Sequence, residues 1–190
     1  EKVYISSADW MRRNLEHQVR HELVDDFDHL ADTLCTQWLV VHNQADEFQR
    51  EVLTPTFYRE FSRNMGSDSK ALLFYKGDEL VGHALLLLDG PMLRWLYFGR
   101  NEATNDSLYL YVAHSVIETS ILLGAKTIEM GLTTYAIKLD LGARVRPIKI
   151  ALRAVSGFIN LFVGLGYATL NRPPSIQARA VFKPGTADAP

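Results

Sequence analysis

Three apolar segments and the two turns between them constrain this chain more than any other feature. Ala71 to Lys76 (ALLFYK), Leu80 to Leu88 (LVGHALLLL) and Met92 to Phe98 (MLRWLYF) are separated by Gly77-Asp78-Glu79 and Asp89-Gly90-Pro91. Short apolar segments bounded by glycine turns read as hairpin-connected strands, because glycine reaches the positive φ that a tight reversal needs. The spacing predicts an antiparallel three-stranded meander. Residues 84–88 are apolar without a break, which predicts a central strand covered on both faces. With strand alternation, Trp95 and Tyr97 would share one face of the third strand, with Arg94 and Leu96 on the other.

A helix from Ser107 to Leu123 follows, with Gly124 as its stop. A short buried strand, Thr127 to Met130, comes next. A connection of this length predicts that the strand joins the sheet parallel to its neighbour. Gly131, a threonine pair and a short helix carrying Lys138 lead to Gly142, where a strand from about Arg146 to Leu152 begins. Ser156 caps a helix running to about Leu165, and Gln177 to Phe182 alternates like an edge strand.

Ahead of the meander the pattern is helical. Val3 to Ser6 reads as a short strand. Trp10, Leu15, Val19 and Leu23 recur at helical spacing from Asp9 to Leu23, and Phe27, Leu30, Leu34, Trp38 and Val41 do so from Asp25 to His42. Asp25, Asp26 and Asp28 favour the second helix's N-terminus. Thr54 and Pro55 start a third helix as cap and first residue. The predicted layout is one domain over 1–183, with a helical front at 1–66, a sheet and catalytic core at 70–153, and a disordered tail at 184–190.

With 190 residues, 47% hydrophobic and 22% charged, the chain has the composition of a globular domain. A net charge of −2 gives no global field toward DNA. No apolar run reaches the ~18 residues a membrane span needs. One cysteine, Cys35, excludes an internal disulfide and fits a cytoplasmic setting. Cys35 reads as a core residue. No metal is expected: His17 and His21 lack a third ligand nearby, and the three aspartates lack a ligand loop.

Several residues carry possible chemistry. Glu129 sits in an otherwise apolar strand, where an unpaired charge is costly. It is either a general base whose pKa burial raises, or the partner of Lys126, Arg94 or Arg144. Tyr111, Ser115 and Glu118 share a helical face that lines a pocket or forms a solvent edge. Trp95 and Tyr97 are core or a cleft wall. Tyr135 follows the threonine caps and either positions substrate or is simply half-buried. Arg144, Arg146, Lys149 and Arg153 form a local basic cluster, which is either a solvated face or a surface for a phosphate, a tRNA backbone or an acidic acceptor.

Tyr109, Tyr111, Ile117-Glu118 and Gly124 on the long helix, Glu129-Met130-Gly131 after it, and Ile137-Lys138-x-x-Leu141-Gly142 form an ordered series. This series, on that element order, resembles the FemAB-like branch of the GNAT acyltransferase fold. The resemblance covers residues 70–150. It implies an α/β (α+β) fold: a central mixed sheet with an antiparallel meander, then helix–strand–helix–strand, behind an N-terminal helical pair. It implies an N-acyltransferase joining an activated acyl or aminoacyl group to a small-molecule or peptide amine. Lys138 would be catalytic, directed at the reacting carbonyl or a donor phosphate, with Glu129 as base. Tyr135, Arg144, Tyr111, Glu118, Trp95 and Tyr97 would bind substrate, and Arg100 and Asn105 the donor. The donor would be acyl-CoA or aminoacyl-tRNA, with no tightly bound cofactor. The usual glycine-rich pyrophosphate loop is absent: Gly99 to Asp106 reads GRNEATND. Alternative readings are a non-catalytic binding module with this fold, or one half of a two-domain FemAB-like enzyme.

Overall fold

Five strands pair in the order in which they occur along the chain. The computed structural model describes residues 19–44, 51–101, 108–131, 135–146, 151 and 153–170. Strands β1 (Val19–Val24), β2 (Ser69–Lys76), β3 (Glu79–Asp89) and β4 (Met92–Arg100) are antiparallel, and β5 (Thr127–Glu129) joins β4 in parallel. Two-residue turns at Gly77-Asp78 and Gly90-Pro91 close the meander, with Gly77 at φ 61° and Gly90 at φ 56°. The mixed α/β fold expected from the sequence is present.

Helices α1 (Ala31–His42) and α2 (Pro55–Met65) cover one face of the sheet. Phe27, Leu34, Cys35, Trp38 and Tyr58 meet Ala71, Leu73 and Leu85 there. Helix α3 (Leu108–Leu122) lies on the other face, where Tyr109 stacks on Trp95 and Tyr111 packs against Phe74. Buried positions on both sides of β3 confirm it as a central strand.

The exit from α3 sets up β5. Gly124 takes φ 72°, its N–H donates to the Ile121 carbonyl, and the Ala125 N–H donates to the Ser120 carbonyl. This double closure is a Schellman end. The next N–H, Lys126, donates to the Pro91 carbonyl at 2.7 Å, which starts β5 beside the first residue of β4.

The chain divides into two compact units, Glu1–Leu132 and Thr133–Pro190. The second holds α4 (Tyr135–Asp140) and α5 (Gly157–Leu170). Among the described residues no helix is long and apolar enough to cross a membrane.

Two expectations about the front of the chain change. Residues 19–24 are a strand rather than the end of a helix. The four-residue spacing of Val19 and Leu23 is an even number, so it suits a period of 2 as well as one of 3.6. Pairing with β2, from Val19 opposite Lys76 to Val24 opposite Ala71, decides between them. The second helix opens later than Asp25, with a 3-10 turn at Asp28–Leu30 before α1. The predicted strand at 3–6, the first helix up to residue 18, the edge strand at 177–182 and the tail lie outside the described residues. So does most of the strand expected at 146–152, of which Arg146 and Ala151 are described and lie outside any strand.

The third helix starts where expected. The Thr54 Oγ1 accepts from the Phe57 N–H at 3.2 Å and Pro55 holds the first helical position. Thr54→Ala is expected to lower stability by about 1 kcal/mol, read as a shift in the urea midpoint.

Candidate functional site

Strand β5 runs beside β4 only from Met92 to Arg94, while β4 continues to Arg100. Past Arg94 the β5 side of β4 has no strand partner among the described residues. The register slips just there. Leu86 faces Trp95 and Leu85 faces Tyr97, which leaves Leu96 as an extra residue. A bulge of this kind re-aims the side chains that follow it.

The bulge corrects the expected pairing of Trp95 with Tyr97. They point to opposite faces. Trp95 is 6% exposed and stacks on Tyr109 of α3, with ring centroids 5.5 Å apart. Tyr97 meets Trp38 of α1 at 6.2 Å and Phe57 of α2 at 5.9 Å, both edge-on. Its hydroxyl donates to Glu51 Oε1 at 3.2 Å. Burial, then the Glu51 charge, raises the Tyr97 pKa.

Glu129 ends β5 directly opposite Arg94, and the two side chains form an ion pair. Arg94 also binds Asp89 at 2.9 Å. The Asp89 bond first, and then the Glu129 charge, raise the Arg94 pKa. The Glu129 side chain is 48% exposed and engaged with Arg94 rather than buried in a cleft.

Tyr111 works as a tie between α3 and the edge strand. Its hydroxyl donates to the Val19 carbonyl at 3.1 Å and lies 3.1 Å from His21 Nδ1. Glu118 is exposed and Ser115 is buried, so the polar stripe on α3 does not form one continuous wall. Arg100 is half-buried at the end of β4, opposite Gly82. Asn105 and the Tyr135 side chain lie outside the described residues, although Tyr135 is the first residue of α4.

Of the three aspartates, Asp25 pairs with Lys70 at 2.7 Å and Asp28 with Arg63 at 2.7 Å, while Asp26 Oδ1 accepts from the Asp28 N–H at 3.2 Å. Among the described residues no group of His, Cys, Asp and Glu is arranged to hold a metal ion.

In the second unit, α4 ends at Gly142 with φ 86°. The Gly142 N–H donates to the Leu139 carbonyl at 3.0 Å, and the Ala143 N–H donates to the Lys138 carbonyl at 2.9 Å. The Lys-x-x-x-Gly spacing is thus a Schellman end that fixes the backbone of Lys138. Lys138 is 6% exposed, and burial lowers its pKa to about 8. No carboxylate lies within ion-pair distance of it among the described residues. A solvated helix lysine would show neither property. Arg144, beyond Gly142, is exposed.

The sequence reading passed over a buried polar chain in the first unit. Tyr58, His83 and Gln37 are all at most 1% exposed. The Gln37 amide nitrogen reaches the Leu80 carbonyl at 3.0 Å and Asn101 Oδ1 at 2.7 Å. Its oxygen therefore accepts from His83 Nδ1–H at 2.9 Å, and His83 Nε2 accepts from the Tyr58 hydroxyl at 3.2 Å. Burial lowers the His83 pKa to about 3 and raises that of Tyr58. A lone His in the apolar run 80–88 was the available signal.

The same fold recurs among solved structures. An aminoglycoside acetyltransferase from an uncultured soil metagenomic sample, solved with sisomicin, superposes with a TM-score of 0.53 at 6% identity, over 74% of this chain and 99% of that one. A CoA complex of an aminoglycoside N-acetyltransferase gives 0.52 at 8% identity, over 73% and 95%. The C-terminal domain of a provisionally named lysylphosphatidylglycerol synthetase from Agrobacterium fabrum gives 0.51 at 11% identity, over 70% and 42%. At these identities the likeness is one of fold. Two curated relatives from Mycobacterium tuberculosis, strains CDC 1551 and H37Rv, bear the provisional name 8-amino-7-oxononanoate synthase 2. The chain is 29% identical to each over 136 residues, 66% of its own length. It spans 17% of the length of these relatives. A model of the acetyltransferase (GNAT) domain matches residues 9–139, and the chain belongs to that family.

Proposed function

We propose that this chain is an N-acyltransferase of the FemAB-like kind, joining an activated acyl or aminoacyl donor to an amine. The observation that carries the reading is Lys138: buried, without a carboxylate among the described residues, and fixed by the Schellman end at Gly142. A buried cation with no anion of its own is held ready for negative charge that appears during reaction. In acyl transfer that charge develops on the carbonyl oxygen or on the donor's leaving group.

Beyond Arg94 the β5 side of β4 lacks a strand partner among the described residues, and this supports the same reading. An extended donor arm that carries amides can add to such an edge by backbone hydrogen bonds. Glu129, held by Arg94, would brace the end of β5 rather than take a proton. Tyr135 and Arg144 would contact substrate, and Arg100 and Asn105 the donor.

The donor is acyl-CoA or aminoacyl-tRNA. The fold neighbours include both a CoA complex and a lysylphosphatidylglycerol synthetase domain, which keeps both chemistries in view. The great length of the curated relatives supports action as one part of a larger enzyme. The test is product formation. The protein is incubated with a panel of acyl-CoAs or charged tRNAs and a mixture of amines, and new amides are sought by mass spectrometry. Amide formation with one donor class selects it. Saturable donor binding with no amide from any of them would instead favour a binding module.

A further inference from the structure

Tyr97 and Glu51 form a feature that the donor side of the reaction does not use. The Leu96 bulge turns Tyr97 to the α1/α2 face, away from Trp95 and α3. The segment carrying Glu51 is held firmly. Leu53 is 7% exposed, its carbonyl accepts from Cys35 Sγ at 3.5 Å, and Thr54 caps α2 immediately afterwards. Glu51 itself is exposed. One of its oxygens accepts from the Tyr97 hydroxyl, and among the described residues nothing else binds the carboxylate. The half-buried ring of Tyr97, whose hydroxyl reaches the carboxylate, stands edge-on to the half-buried ring of Phe57.

An exposed carboxylate oriented by a phenol, next to aromatic rings, suits an ammonium group. The charge meets the carboxylate, and the C–H groups beside it meet the rings. The surrounding charge points the same way. Residues 1–132 hold 12 Lys and Arg against 20 Asp and Glu, whereas residues 133–190 hold 8 against 2. The near-neutral total hides a strongly acidic first unit and a basic second one. An acidic unit raises the local concentration of cations.

We propose that Glu51, oriented by Tyr97, whose ring packs edge-on against Phe57, recognises the ammonium group of a cationic amine acceptor. The proposal rests on the N-acyl-transfer reading for the word acceptor, but its test needs no turnover. Spermidine, as a polyamine probe, is titrated into the whole protein by calorimetry at low and at physiological salt. Saturable binding is expected at both. Glu51→Gln keeps an oxygen for the Tyr97 hydroxyl while removing the charge, and should weaken binding by at least ~10-fold with an unchanged melting temperature. Tyr97→Phe, which keeps the ring, should weaken it less. Asp78→Asn, which removes an equal charge from the β2–β3 turn, should leave it within about twofold, as expected for a surface charge away from the site. No saturable binding, or equal weakening by Glu51→Gln and Asp78→Asn, would overturn the site, leaving Glu51 as a structural pin for its segment. Absence of amide product with every donor would defeat the acyltransferase reading while leaving a positive spermidine result standing.

Discussion

Lys138→Ala is expected to lower turnover by ~100-fold or more, the scale on which one preorganised electrostatic contact acts. The pH profile carries a sharper expectation. If Lys138 stabilises charge, the ammonium form is the active one, and activity falls as pH rises through about 8. A lysine acting as base would give the opposite slope. Stability moves the other way. The folded pKa of about 8 lies below the ordinary 10.5, so between those values the unfolded chain binds more protons. This group's contribution to stability therefore rises with pH across the window, and its full penalty applies below pH 8. Lys138→Met is accordingly expected to raise stability at pH 7 by up to roughly 3 kcal/mol while abolishing the catalytic gain. Urea unfolding and initial rates on the same preparations check both. Unchanged turnover in Lys138→Ala would remove the residue from the mechanism.

The meander, the cap at Thr54 and the glycine stops at Gly124 and Gly142 were legible because each is a local rule with a local residue. Glycine at a positive φ and a hydroxyl before Pro55 need no knowledge of the rest of the chain. The parallel entry of β5 followed from the length of the connection. What was lost needed a partner from far away. Val19–Val24 is a strand because β2 offers it a ladder some fifty residues on. Leu96 is a bulge only relative to Leu85 and Leu86, and nothing in MLRWLYF announces it. That one extra residue separates Trp95 from Tyr97 and gives Tyr97 to Glu51. Glu129 was readable as a residue needing a partner, and Arg94 was among the three candidates named for it. The burial of Lys138 was beyond reach, since a lysine on a six-residue helix reads as solvated.

His83→Leu is expected to cost several kcal/mol at pH 7, and the deficit should shrink as the solution is acidified. The cost arises because leucine leaves the buried Tyr58 hydroxyl and the Gln37 carbonyl without their partner, at about 1–3 kcal/mol for each group. Space is equally unforgiving. A Cβ on Gly99 would stand 2.3 Å from His83 Cε1 and 2.7 Å from the Trp38 nitrogen, so the ring is clamped between β4 and α1. The pH term follows from the ring's neutrality. In the unfolded chain it takes a proton near pH 6.5, but in the fold only near pH 3. Between those values the unfolded state binds more protons, so the wild-type protein loses stability as pH falls, by up to about 1.4 kcal/mol per unit. The leucine variant lacks this loss, although its carboxylates titrate as before. Subtracting the two urea-unfolding series, at pH 7 and at pH 5, isolates the histidine. The difference should narrow by roughly 2 kcal/mol over those two units, because the loss begins only below pH 6.5. A difference that stayed constant with pH would mean that His83 takes its proton in the fold as readily as in the unfolded chain. On protonation the Tyr58 hydroxyl would then have to turn and accept from Nε2–H, while the Gln37 oxygen went on accepting from Nδ1–H.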